Sequence, residues 1–134
     1  MKFLKKNHQY FYFVFRIIVG AMFMQHGAQK LLGSFGGING NSAQLFSMFG
    51  IAGIIELFGG AFILIGLFTR FTALVSAIEM ASAYFIVHAS NGIFPITNGG
   101  ELAILYFASF LILLAYGAGK WSLDNILFKT KKRK

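Results

Sequence analysis

The sequence predicts an all-α integral membrane protein, a bundle of four transmembrane helices with both termini in the cytoplasm. Three observations carry this prediction. Apolar residues make up 57% of the 134-residue chain and charged residues only 12%, about half the charged share of a soluble domain. Mean hydropathy is +0.69, and a soluble domain this small could not bury that much apolar surface. The apolar residues also fall into four runs, each close to the roughly 20 residues that a bilayer crossing takes.

Residues 1–9 form a basic segment with Lys2, Lys5 and Lys6. The first span covers about residues 10–32. Its start resembles a signal peptide, but Arg16 interrupts the apolar stretch and no small-x-small cleavage site follows. An uncleaved first helix is therefore expected. The stretch "GSFGGINGNSAQ", Gly33 to Gln44, reads as a loop. The second span, about 48–68, has Glu56 as its only charge. Thr69 and Arg70 make a very short turn, which folds the second and third spans into a tight hairpin. The third span, about 71–88, holds Glu79. "ASNGIFPITNGG" contains the only proline, Pro95, and reads as a second loop. The fourth span, about 101–116, carries no charge after Glu101. Beyond "GAGKWSLDN", Ser122 or Asp124 is placed to cap a short surface helix through Phe128. The four-helix domain thus occupies 10–128, and 129–134 is a basic tail of Lys129, Lys131, Lys132, Arg133 and Lys134.

The net charge of +8 gathers at the chain ends. Beside spans of membrane length, basic ends point to a cytoplasmic face near anionic lipid rather than to nucleic acid. The Arg70 turn is also basic, whereas the two Gly-rich loops have no Lys or Arg beyond Lys30. Those two loops should face outward. The chain has no cysteine, which excludes disulfides, thiolate metal sites and thiol redox chemistry of its own.

Small residues mark possible helix contacts: Ala73, Ala77 and Ala81 on the third span, and Ala52, Glu56 and Gly60 on the second. A faint internal repeat pairs His26 with Glu56 and His88 with Glu101.

Ionisable groups inside spans are costly and face protein or water rather than lipid. Counted at about 1.5 Å per residue, Arg16 and Glu79 both fall within roughly 10–15 Å of the cytoplasmic face. They are expected to form a structural ion pair between the first and third helices. His26, Lys30, His88 and Glu101 fall near the outer face, with Glu56 closer to the middle. These five residues are expected to form an outward-facing polar pocket. A mid-span carboxylate is tolerable only when paired or protonated.

No HxxxH or ExxH spacing occurs, so no metal site is expected. His and Glu can relay protons to a quinone, and Lys or His can bind a small anion. Phe35, Phe46, Phe49, Tyr84 and Phe94 can line an apolar pocket, although facing lipid is the simpler account of most of them. No P-loop, dinucleotide fingerprint or nucleophile elbow is present.

Three stretches together carry a resemblance: "RIIVGAMFMQHGAQKLLG", "ELFGGAFILIGLFTRFTAL" and "GAGKWSLD". In this order and spacing the chain, from about Phe15 to Asp124, resembles the DoxX family of small four-helix bacterial membrane proteins. The family signature carries over to Arg16, Gly20, His26, Gly27, Lys30, Glu56, Gly60, Gly66, Arg70, Gly117, Gly119, Ser122 and Asp124. The resemblance assigns none of them a catalytic role. It implies a multi-pass protein of the bacterial cytoplasmic (inner) membrane with ties to respiratory and redox biology. A related branch, DoxD, is a membrane subunit of a thiosulfate:quinone oxidoreductase. The absence of cysteine weakens any direct sulfur-transfer reading.

The expected function is that of an accessory membrane subunit, or partner of a redox enzyme, in a quinone-linked process. Two other readings stay open at this point. One is a small permease that conducts protons or solutes as a homo-oligomer. The other is a scaffold without a ligand.

Overall fold

A computed structural model describes residues 1–128, which form helices joined by loops, with no strand among the described residues. The basic tail expected at 129–134 lies outside the described residues. Helix α1, Lys2–Leu32, ends at Gly33 in the left-handed region. Helix α2, Met48–Ile65, is capped by Ser47, whose Oγ accepts from the Gly50 N–H at 3.1 Å. Helix α3, Thr69–Ala83, continues through a π-helical turn, Tyr84–His88, into a 3-10 turn, Ala89–Asn91. The short α4, Pro95–Asn98, has its proline in the first turn, where no N–H is needed. Helix α5, Glu101–Tyr116, is followed by α6, Leu123–Leu127, capped by the Ser122 hydroxyl.

Lys6–Leu32, Met48–Ile65 and Thr69–Asn91 are long and apolar enough to cross a membrane. Helix α5 is apolar but has 16 residues. At 1.5 Å per residue it covers about 24 Å, short of a typical hydrocarbon thickness of about 30 Å. Helix α1 starts well before the expected residue 10. Lys, Leu and Gln are good helix formers, so the helix extends past its apolar part into the basic segment.

The bundle is built from two close helix pairs. Helix α1 lies against α2 with backbone almost touching backbone, because glycines meet there. A Cβ at Gly20 would sit 2.6 Å from the Leu64 nitrogen and 2.8 Å from the Gly60 oxygen. A Cβ at Gly27 would collide with the Leu57 backbone in the same way. Glycines permit this approach, which favours close packing in lipid. Helix α3 packs on α5 through buried Ala73, Ala77 and Ala103. Ala81 and Ala52, expected on the same small stripes as Ala77 and Glu56, are only half-buried. Phe23 of α1 bridges the pairs, its ring centroid 5.2 Å from that of Tyr106 and 4.7 Å from that of Phe110. Ile63 and Leu113 complete this fully buried core.

One end of the bundle is closed by polar contacts among residues far apart in sequence. The α3 N-terminus has no cap of its own, since Phe68 precedes it with φ 48. Asp124 supplies the cap: its Oδ1 accepts from Phe68 N–H at 2.6 Å and its Oδ2 from Thr69 N–H at 2.9 Å. The Asp124 N–H in turn donates to Gly66 O. Arg16 donates through Nη2 to Trp121 O at 2.6 Å and through Nη1 to Ile63 O at 3.4 Å. Tyr12 donates to Gly117 O, and Arg70 to Ala115 O. Gly66, with φ 71, has no room for a side chain, because a Cβ there would strike the Arg16 guanidinium. Much of the "GLFTR" and "GAGKWSLD" pattern is thus the chemistry of one clasp.

This clasp corrects one expectation. Arg16 does not pair with Glu79. It lies at the clasped end, level with Ile63, where its Nη1 and Nη2 donate to carbonyls. Glu79 lies ten residues past the start of α3, which is about 15 Å farther along the bundle.

Candidate functional site: a cavity between the helix pairs

The helix pairs diverge toward the end that holds the 33–47 and 92–100 connections. The gap is a cavity of about 660 Å³ lined by α1, α2, α3 and its π-helical turn, and α5. That volume is typical of a small-molecule site. Most of the wall is apolar, from residues such as Ala52, Ile55, Val75, Met80 and Ala103.

The polar groups arrive by helical periodicity. Arg16, Gly20, Phe23, Gly27 and Lys30 share one stripe of α1, spaced by four and three residues. The glycines press this stripe onto α2, which carries Lys30 to Glu56. Lys30 Nζ reaches both Glu56 oxygens at 2.5 Å. Glu56 is 2% exposed, and pairing is what makes a charged carboxylate tolerable at that depth. The pair is neutral as a whole.

Glu79 also lines the cavity, and its Oε2 is buried with no hydrogen-bond partner among the described residues. The Tyr106 hydroxyl is likewise buried and unpartnered there. Tyr106 stands between His26 and Phe23; the His26 ring meets it edge-on, with centroids 5.8 Å apart. His88 lies on the π-helical turn, a feature that often marks functional positions. Its Nδ1 is 3.2 Å from Asn98 O. A carbonyl only accepts, so Nδ1 carries the proton, and Nε2 of a neutral ring is left as an acceptor.

Of the five expected pocket residues, His26, Lys30, Glu56 and His88 line the cavity. Glu101 does not. It is exposed in the first turn of α5, where a carboxylate suits the helix dipole. The pairing of His88 with Glu101 as half of a repeat therefore has no counterpart in the cavity. Glu79, expected elsewhere, takes its place. Tyr106 was not anticipated; a mid-span hydroxyl in a run of Leu, Ile, Ala and Phe was its only signal. Among the outer aromatics, Phe49 lines the cavity and Tyr84 is buried, while Phe35, Phe46 and Phe94 are exposed. Among the described residues no group of three or more His, Cys, Asp or Glu side chains is arranged to hold a metal ion.

A family model described as DoxX matches residues 11–89, more than half of the chain. The chain belongs to the DoxX family. This DoxX protein is similar to an uncharacterized protein of Haemophilus influenzae, with 44% identity over 94% of this chain and 97% of the relative. It is 27% identical to an uncharacterized membrane protein of Mycobacterium tuberculosis, over 85% of this chain and 79% of the relative. It is 29% identical to a Bacillus subtilis protein, CatD, whose oxidoreductase designation is provisional; 87% of each chain is covered. No solved structure matches it. The family and the apolar helices together make this an integral membrane protein.

Proposed function

We propose that this DoxX protein serves a quinone-linked redox process in the bacterial cytoplasmic membrane, as an accessory subunit or partner of a redox enzyme. The carrying observation is the cavity, an apolar chamber into which all four long helices bring ionisable groups. A quinone is apolar except at its ring oxygens, and its reduction takes up protons as well as electrons. His26, Glu56, Glu79 and His88 are groups that can exchange protons. Lys30 holds Glu56 in place. The name of the Bacillus subtilis relative agrees with this reading in kind.

We place the clasped end in the cytoplasm, because Arg70, Lys120 and the N-terminal lysines belong to that end. The cavity then lies in the outer half of the membrane.

The test is a chromosomal Glu56→Gln variant. Quinone-dependent respiration of inverted membrane vesicles should fall while the amount of inserted protein stays normal. Loss of the folded bundle, with no separate respiratory effect, would give Glu56 a structural role and sink this reading.

A further inference from the structure

The cavity wall is unbalanced in charge. Among the residues that line it, Lys30 is the one lysine or arginine, while Glu56 and Glu79 are both carboxylates. Lys30 is bonded to both oxygens of Glu56, so that pair is neutral. Glu79 is left over. Its Oε2 is buried and has no hydrogen-bond partner among the described residues. The other titratable groups on the wall are His26 on α1, His88 on the π-helical turn and Tyr106 on α5. None of them is hydrogen-bonded to that oxygen. Ionisable groups inside a membrane are normally paired, and an unpaired one marks a place where a ligand or proton is held.

Tyr106 carries a second, independent sign. It is 6% exposed, it lines the cavity, and its hydroxyl is also without a partner among the described residues. Two helices thus end polar groups at this cavity that the protein itself does not satisfy. The remaining wall is mostly apolar, and Phe49 and Tyr106 add aromatic rings. An inorganic cation takes several ligands, whereas among the described residues no group of three or more His, Cys, Asp or Glu is arranged to hold one. An organic cation needs a single carboxylate for its charge and an apolar wall for its body, and ring faces attract it further.

We propose that the cavity binds a lipid-soluble ammonium ion, the protonated form of an amine with an apolar body, with Glu79 as its counter-ion. The ammonium N–H donates to a Glu79 carboxylate oxygen, a charge-assisted bond in apolar surroundings. Where Glu79 holds a proton beforehand, that proton leaves to water as the N–H···O bond forms, so the cavity is neutral before and after. The inference goes beyond the quinone-linked reading and does not rest on it. A quinone and an ammonium ligand would exclude one another from this one volume.

The test is equilibrium binding to the full chain in nanodiscs of zwitterionic lipid at about pH 7, with empty nanodiscs subtracted. Three probes share one body and differ in charge: 4-butylbenzylamine, 4-butylbenzyl alcohol and 4-butylbenzoate. The amine should bind at least about tenfold more tightly than the alcohol, the margin of one charge-assisted hydrogen bond over a neutral one. The benzoate should bind most weakly. Glu79→Gln should erase the preference for the amine without lowering thermal stability, since it removes a charge that no protein group pairs. Glu79→Asp, which keeps the charge, should retain the preference. The order of the three probes on the unaltered protein decides the sign of the site even if a variant fails to fold. Equal binding of amine and alcohol would overturn the cation site. A preference for the amine that survives Glu79→Gln would overturn the assignment to Glu79. Failure of every probe to bind would overturn the inference and leave the quinone-linked reading to its own respiratory test.

Discussion

Lys30 Nζ lies 2.5 Å from both carboxylate oxygens of Glu56, so one cation on α1 satisfies a carboxylate buried on α2. The pair fixes these helices at the depth where the cavity opens. Removing one partner of a buried pair leaves an uncompensated charge, at a cost of about 3–5 kcal/mol. Lys30 keeps 18% of its side chain exposed, so the lower part of that range applies. Lys30→Met should therefore destabilise more than Lys30→Met with Glu56→Met. A double-mutant cycle on thermal unfolding in detergent measures the coupling; additive losses would mean that the pair is not formed.

Gly27 sits where a Cβ would meet the Leu57 backbone. Backbone cannot yield as a flexible side chain can, so Gly27→Val should force α1 away from α2. Overpacking of this kind costs roughly 1–3 kcal/mol. The variant should also perturb the Lys30–Glu56 pair one turn along. Chromatographic homogeneity and melting in detergent check it.

Asp124 caps α3 from the far end of the chain. Asp124→Ala leaves two N–H groups of the 66–69 turn without their acceptor. Loss of a cap of this sort costs about 0.5–2 kcal/mol. Protease nicking near Phe68 should increase, and Asp124→Asn, which keeps one acceptor oxygen, should fall between the two. Equal resistance in all three proteins would contradict the trans cap.

Arg16 and Glu79 act at separate places. The effects of Arg16→Gln and Glu79→Gln on stability should therefore add within about 0.5 kcal/mol. Partial rescue in the double variant would restore the ion pair that the clasp geometry denies.

The sequence makes depth legible and rotation obscure. The apolar runs and the Ser122 cap could be read directly, since each is a local property of the chain, whereas the short turn expected at Thr69 and Arg70 falls at 66–68, with both residues already in α3. The height of His26, Lys30 and Glu56 followed from counting residues. Which way a helix faces depends on packing partners, and here the decisive partners are small. Gly20, Gly27 and Gly60 set α1 against α2, and their role is visible only when both helices are seen together. The same gap misassigned Glu79, whose height was compatible with Arg16 until the clasp drew Arg16 to Trp121 and Ile63. Glu101 failed for a simpler reason. A carboxylate at the head of a helix is satisfied by the helix itself and by solvent, so it has no need of a pocket. Tyr106 passed as one aromatic residue among many until its burial and its orphaned hydroxyl set it apart.

Native mass spectrometry of the full chain purified in mild detergent tests the central claim most directly. The account predicts a bound quinone-class molecule or a redox-enzyme subunit, lost from the Glu56→Gln variant while the bundle stays folded. A folded chain that carries only ordinary lipid, in both the unaltered protein and the variant, would contradict it.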